Sequence, residues 1–374
     1  MTEKILITGG AGFIGSFLTD EFLSAGLKVR IMDNLDPQVH GPAADWPPYL
    51  DSRAELVRGD VRSRADWEKA LDGVDYVSHH AAAVGVGQSM YEIEHYMSVN
   101  TQGTALLLDI LAKEKHKVKK LMVASSMSNY GEGSCRCPEH GLVFPLPRDR
   151  EQLLARQWEM LCPICGVEVE PAPTAEDKPL QPTSYYSLSK MDQELMVLLF
   201  GRTYKLPVTA LRYFNVYGPR QALSNPYTGV AAIFSSRLLN NNQPLIFEDG
   251  LQSRDFIHVT DIARANRLAL ESHEADGEVF NVGSGRPLTV RYMAEALADH
   301  LGLAIKPEIA GQFREGDIRH CHADISKIKE KLGFEAEVKF EQGVGDLVDW
   351  VRKQEADDRL GEAKKALEDH GLCW

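Results

Sequence analysis

The chain reads as an α/β protein: a doubly wound parallel sheet, a smaller C-terminal lobe and a cysteine-containing insert. Three observations predict this. Short apolar strands alternate with helices through residues 1–131, as a parallel sheet covered on both faces requires. The first strand runs straight into a glycine-rich turn and then a helix. A Tyr-x-x-x-Lys pair, Tyr186 and Lys190, opens a later helix with both side chains on one face.

The elements follow in order. A strand is predicted over 4–8 and a helix over 13–25, stopped by Gly26. A second strand covers 28–33, with Val29, Ile31 and Met32 apolar. A third covers 55–58 and runs into Gly59-Asp60-Val61. Helices are expected at 64–71 and 101–115, and strands at 75–79 and 120–124. Residues 132–183 break the alternation: they hold four of the six cysteines, many prolines and little periodicity, and read as an insert. Order resumes with a helix over 186–200 and a strand over 208–212. Residues 1–131 and 184–213 then form one domain, 214–350 mainly a second lobe, and 351–374 a charged tail read as a solvated helix without function.

The 374 residues are 44% hydrophobic and 25% charged, ordinary for a globular protein. A net charge of -13 argues against nucleic acid or an anionic membrane surface as partner. It leaves room for a small anionic ligand held by local arginines. No apolar run approaches the ~20 residues that span a bilayer. Met1-Thr2-Glu3-Lys4 leads into a five-residue strand and not a secretory apolar core, so the expectation is a cytoplasmic protein. Its cysteines are then thiols or metal ligands rather than disulfides.

Gly10-Ala11-Gly12-Phe13-Ile14-Gly15 fits G-x-G-x-x-G, and Gly9, Gly12 and Gly15 also fit G-x-x-G-x-x-G. Such a pattern alone can be a tight turn with no ligand. Between a strand and a helix it forms a pyrophosphate cradle, because the helix N-terminus offers free N–H groups. Asp33 ends the second strand about 20 residues on, where a Rossmann-type domain keeps its ribose-binding carboxylate. Asp33 would repel a 2′-phosphate, and Asn34-Leu35-Asp36 brings no arginine, which favours NAD over NADP. Asp60 and Val61 either flank the adenine or simply end a strand.

Ser126 follows the fifth strand, at the strand ends where doubly wound sheets bind ligands. Beside it, Tyr186 and Lys190 describe a site that takes a proton from an alcohol while a nicotinamide takes the hydride. The lysine ammonium is expected to lower the phenol pKa. With these residues in view, the chain resembles the extended short-chain dehydrogenase/reductases of the nucleotide-sugar epimerase/dehydratase family. The motifs are Thr8 to Gly15, Asp33, Asp60-Val61, His79-His80-Ala81-Ala82, Asn100 with Gly103-Thr104, and Ser125 to Gly131. Tyr186 to Lys190, Leu211 to Arg220, Gln252 to Val259, Asn281-Val282-Gly283 and Arg314-Glu315-Gly316-Asp317 complete them. The resemblance runs to about residue 350, except for the insert.

The resemblance implies roles. Tyr186 would be the acid/base, Lys190 its helper and a ribose ligand, and Ser126 a partner of the reacting sugar oxygen. NAD would contact Gly9, Gly12, Phe13, Ile14, Gly15, Asp33, Asn34, Asp60, Val61, Ala81, Ala82 and Asn100, with Tyr186 and Lys190. The nucleotide-diphosphate sugar would meet Ser128, Asn215, Arg254, Arg314 and Asp317. Arg254-Asp255 reads equally as a structural ion pair. Cys321 would either line the sugar pocket or fill the core. Relatives that dehydrate the sugar carry Asp-Glu after the hydroxyl residue, and decarboxylases carry Glu; this chain has Met127 and Ser128. Without a further acid or base, 4-epimerisation is the expected outcome, with dehydratase, decarboxylase or reductase as alternatives. A non-catalytic dinucleotide sensor is a separate reading. The region around Ser126 and the insert resembles deoxysugar epimerases. A homodimer is implied through the helices at 101–115 and 186–200, where Met191, Leu195, Met196 and Leu199 make an apolar stripe; packing on the sheet explains the stripe equally.

In the insert, Cys135-Arg136-Cys137 and Cys162-Pro163-Ile164-Cys165 offer two thiolate pairs, a set that suits structural zinc. His140 is a possible substitute ligand. Free thiols in a metal-free loop, or a zinc-dependent interaction module, are the competing readings.

Overall fold

The computed structural model describes residues 2–314 and 316–374. Glu315, within one of the motifs above, lies outside the described residues. Seven strands form the central sheet: β1 (Lys4–Thr8), β2 (Lys28–Asp33), β3 (Glu55–Arg58), β4 (Tyr76–His79), β5 (Lys120–Ser126), β6 (Val208–Tyr213) and β7 (Glu278–Val282). Their order is β7-β6-β5-β4-β1-β2-β3, and every pairing is parallel. The strand period of two decides which face each side chain enters. Ile5 and Ile7 pack with Phe22, Ile31 and Leu211 on one face, while Leu6 packs with Trp67, Val77 and Leu107 on the other. Both faces of the central strands are buried, which is why β1, β5 and β6 are rich in apolar residues, while the edge strand β3 is largely exposed. The strand order reverses beside β1, so a crevice opens at the C-terminal ends of β1 and β4.

Two elements differ usefully from expectation. Helix Gly103–Lys113 is preceded by a π-type turn over Met97–Gln102. The helix expected over 186–200 spans Tyr185–Tyr204, because Ser184 and Ser187 form a reciprocal capping box at its start. That cap fixes where Tyr186 stands relative to the sheet.

The second lobe is built on strand Ser253–His258, flanked by Asn215–Tyr217, Pro287–Thr289 and His320–Cys321. Its core joins Tyr217, Phe234, Phe256, Met293, Leu297 and Leu347. The insert is more ordered than its composition suggests. Cys135–Cys137 pairs antiparallel with Gly141–Val143 on one side and Glu170–Pro171 on the other. Its own core has six residues, three of them cysteines.

The tail is not a solvated helix. Helix Leu360–Asp369 buries Ala363 and Leu367, and Leu367 packs against Phe247 and Cys373. The chain end pairs with the lobe: Phe313 and Trp374 exchange backbone hydrogen bonds at 2.9 and 3.1 Å, and their rings stack. Leu360, Ala363 and Leu367 form a narrow helical stripe that the surrounding charges hide in the sequence. Among the described residues, no helix is long and apolar enough to cross a membrane.

Candidate active site

A cleft of about 1170 Å³ runs from the glycine-rich turn across the ends of β1, β4 and β5 into the second lobe. It exceeds the roughly 300–1,000 Å³ typical of one drug-sized ligand. That size suits a dinucleotide and a second nucleotide-sized ligand end to end.

The cradle at one end has no room for side chains. Gly9 adopts φ +68, and a Cβ there would lie 2.9 Å from the Ala81 nitrogen. A Cβ on Gly15 would lie 2.2 Å from the Gly9 carbonyl. The first helix, Phe13–Ser24, has Gly12 as its N-cap with no side-chain cap, and no acid in its first turn. The N–H groups at Phe13 and Ile14 are therefore available to an anion. Gly9, Gly12, Phe13, Ile14, Gly15, Asp33, Asn34, Asp60, Val61, Ala81 and Ala82 all line the cleft. Asp33 accepts from the Ala11 and Leu35 amides at 3.0 and 2.9 Å, tying the turn to the end of β2 and leaving lone pairs for a ribose. His40 approaches it at 3.6 Å. The Asp60 carboxylate is held by Arg62, which keeps its pKa low.

Asn100 departs from expectation. It is fully buried and does not line the cleft. Its amide donates to Ala83 O (3.0 Å) and Ser189 Oγ (2.8 Å), and its oxygen accepts from Ala83 N (2.8 Å). Each of its atoms is already committed, so it clamps the loop after β4 to the Tyr186 helix.

Tyr186, Lys190, Ser126 and Ser128 meet at the middle of the cleft. Ser126 Oγ accepts from the Ser128 amide (3.1 Å) and hydroxyl (2.8 Å). Burial raises the Tyr186 phenol, against a hydrogen bond with Ser126 that lowers it. Burial also brings the Lys190 ammonium down to about 7. The expected lowering of the phenol by Lys190 does not emerge here; burial sets the direction and Ser126 opposes it. Lys190 instead donates to Gln193 (2.9 Å), which donates on to Thr104 (2.7 Å). Thr104 also contacts the buried His79 at 3.0 Å, and His79 reaches Thr8 at 2.7 Å. Behind Ser126 lies an ion pair that the motifs did not reveal. Glu194 pairs with Arg212 at 2.6 Å and accepts from Ser125 (2.6 Å), joining the Tyr186 helix to β5 and β6.

At the far end, Asn215, Arg254, Arg314 and Asp317 line the cleft. Asn215 Oδ1 is buried without a hydrogen-bond partner. Arg314 pairs with Asp317 at 2.8 Å and stacks 4.5 Å above the Phe247 ring. Arg254 does not pair with Asp255. Asp255 accepts from Ser284 and Gly285 (2.8 Å each), while Arg254 donates to the carbonyls of Ile318 (2.6 Å) and Arg319 (3.0 Å). Cys321 does not line the cleft: it is buried against Met127, Tyr130 and Phe214. Burial pushes its thiol up to about 12. The terminal helix contributes Leu360, Lys364 and Leu367 to the cleft wall, a contribution that the sequence did not suggest.

The proposed metal set also changes. Cys137, His140, Cys162 and Cys165 bring four ligand atoms within 4.8 Å of one another. Cys135 is not among them. Cys135 lies two residues back along the strand and its sulfur falls outside the group that closes around Cys137. The turn after Cys137 instead folds His140 back to within 3.4 Å of its sulfur.

Fold and site together give a dinucleotide-type cleft with Tyr186 and Lys190 at its middle and a second pocket facing them. The comparisons give the family. Residues 5–147 match the model of the NAD-dependent epimerase/dehydratase family, and residues 167–347 that of GDP-mannose 4,6-dehydratase. The chain belongs to the NAD-dependent epimerase/dehydratase family. It is 35% identical to dTDP-L-rhamnose 4-epimerase of Burkholderia thailandensis, over 94% of this chain and 96% of that one. It is 31% identical to a putative UDP-glucose 4-epimerase of Methanocaldococcus jannaschii, over 93% and 98%. Among solved structures it resembles UDP-glucose 4-epimerase of Thermotoga maritima with UDP-glucose, at TM-score 0.76 and 32% identity over 94% and 99%.

Proposed function

We propose that the protein is a nucleotide-sugar 4-epimerase that oxidises C4 transiently with bound NAD and reduces it again from the other side. The observation that carries this is the meeting of Ser126, Tyr186 and Lys190 with Met127 and Ser128, and no carboxylate, in the two positions after Ser126. Ser126 would hold the C4 oxygen, and Tyr186 would remove its proton. NAD, when bound, supplies the acceptor for the hydride and returns it. Lys190 would bind the nicotinamide ribose and, when protonated, favour the Tyr186 phenolate. Arg254 and Arg314 would bind the diphosphate, since guanidinium forks match its oxygens. The 4-ketose, anchored by its diphosphate and released from Ser126, would turn and present its other face. Elimination or decarboxylation needs a further acid or base, and neither Met127 nor Ser128 serves at neutral pH.

The substrate we favour is a dTDP- or UDP-linked sugar, a deoxysugar first, in line with the relatives above. Incubation with a panel of UDP-, dTDP-, GDP- and CDP-sugars, read by proton NMR at C4, tests this. The expected product is a C4 epimer with no net NADH. A 4-keto or 6-deoxy product, or release of CO2, would overturn the reading.

Three finer parts belong to the same proposal. The insert holds structural zinc, because its small core needs a further tie. The protein works as a homodimer, because Leu195 and Leu199 on the Tyr186 helix stay 49% and 56% exposed and are not consumed by the sheet. Leu195→Glu with Leu199→Glu is expected to halve the mass seen by light scattering. The compartment is the cytoplasm, where the six free cysteines remain reduced.

A further inference from the structure

The insert's four ligand atoms lie within 4.8 Å of one another, and three of their separations match the edges of a tetrahedral metal site. Cys137 Sγ lies 3.7 Å from Cys165 Sγ, and His140 Nδ1 lies 3.4 Å from Cys137 Sγ and 3.8 Å from Cys162 Sγ. A tetrahedral zinc with its usual bond lengths demands sulfur–sulfur edges of about 3.8 Å and sulfur–nitrogen edges of about 3.6 Å. A disulfide would need sulfurs at about 2.05 Å. The backbone is shaped to match. The Cys162 amide donates to Val167 O (2.8 Å), and the Gly166 amide, at φ +73, donates to Cys162 O (2.9 Å). These bonds close the turn that carries Cys162 and Cys165.

The same turn controls a group on the cleft side. Three residues before Cys162, Glu159 is followed by Met160, whose carbonyl accepts from the Val169 amide at 3.0 Å. The Glu159 carboxylate accepts from Arg319 Nε (3.2 Å) and His320 Nε2 (3.0 Å), 160 and 161 residues away. Arg319 is fully buried and also meets Glu248 and Asp249. The carbonyls of Ile318 and Arg319 are the ones that receive the Arg254 guanidinium. His320 also anchors this strand to Ser253 at 2.8 Å. The path from the sulfurs to the cleft is therefore continuous: Cys162, Glu159, Arg319 with His320, then Arg254.

Resting on the zinc and substrate readings above, we infer that one zinc ion on Cys137, His140, Cys162 and Cys165 is a positioning device for the nucleotide-diphosphate pocket, acting through Glu159 on the strand that orients Arg254. The metal has all four positions filled by protein, so it takes no part in turnover. Glu159 is a positioning residue and touches no substrate.

The test uses the purified full chain with its bound NAD. Zinc per chain is measured after exhaustive dialysis, and dTDP and UDP binding by calorimetry. The expected wild-type content is about one zinc. Cys162→Ser and His140→Ala are expected to lose it, and Cys135→Ser to keep it. Cys162→Ser should weaken nucleotide binding on the order of tenfold, at unchanged NAD content. Glu159→Gln should keep the zinc and weaken nucleotide binding in the same direction, which preserves the test should the cysteine variant fail to fold. A wild-type protein without zinc, or a Cys135→Ser variant that loses it, overturns the site. Zinc present with unchanged nucleotide affinity in both Cys162→Ser and Glu159→Gln overturns the link to the cleft. Neither readout needs turnover, so a protein that binds zinc and dTDP yet epimerises nothing would sink the functional reading alone.

Discussion

The two ends of the cleft are built in opposite ways. The dinucleotide end is assembled from short contiguous segments at the C-terminal ends of inner strands of one sheet: a glycine turn, the end of β2 and a loop after β4. The substrate end is assembled from pieces far apart in the chain. Glu159 meets Arg319, Arg254 leans on the carbonyls of Ile318 and Arg319, and Arg314 pairs with Cys373 at the chain terminus. The first end has its shape imposed by backbone sterics. The second depends on long-range ion pairs, a proposed metal and a terminal helix. The dinucleotide end is therefore constrained by construction, while the other can change its ligand by changing the parts that surround it.

This comparison can be broken or sharpened by experiment. The largest effect belongs to Gly15→Ala. Its Cβ would sit 2.2 Å from a backbone carbonyl that cannot move without reshaping the turn. The expected outcome is protein purified with no bound dinucleotide, measured by heat release and absorbance; a full NAD complement would contradict the steric argument. Next comes Glu194→Gln, which leaves the Arg212 guanidinium buried without its charge partner. A loss of about 3–5 kcal/mol in urea unfolding is expected. Glu159→Gln should destabilise far less, since Glu159 is one-third exposed and Arg319 keeps two other carboxylates.

Removal of residues 355–374 takes away the terminal helix and uncovers Phe247. Weaker dTDP and UDP binding, on the order of tenfold, is expected at unchanged NAD content. Unchanged nucleotide affinity would make the tail a packing element only. The smallest effect is a pH slope. Burial brings Lys190 to about 7 in the folded protein, while the unfolded chain keeps a lysine near 10.4. Between these values the unfolded chain binds the extra proton, so stability rises with pH across that window and falls as the pH drops towards 7. Lys190→Met should remove about one proton's worth of slope, at most about 1.4 kcal/mol per pH unit. An identical slope in both proteins would contradict the depressed value.

The comparison also explains what the sequence disclosed. Strands β1, β2 and β3 and the glycine turn were legible because local chemistry fixes them: short apolar runs bounded by turns and helices, and Cβ atoms that cannot be accommodated. Tyr186 and Lys190 were legible because helical spacing alone sets them on one face. Glu194, His40 and the Arg319 network were not, since charged residues in a sequence carry no mark of burial or partner. Asn100 and Cys321 sit one layer behind the cleft, a distinction that spacing does not carry. Cys135 was grouped with Cys137 by sequence proximity, yet the turn after Cys137 brings His140 into the group in its place. The tail's stripe of three apolar residues was masked by the charge around it.

The central claim is that hydride leaves C4 and returns to C4 within one bound state, with Tyr186 handling the proton. A nucleotide sugar carrying deuterium at C4, once a turned-over substrate is found in the panel, tests this most directly. The account predicts a C4 epimer that retains its deuterium in ordinary water, and no product with Tyr186→Phe. Loss of the deuterium to solvent, or full turnover by Tyr186→Phe, would contradict it.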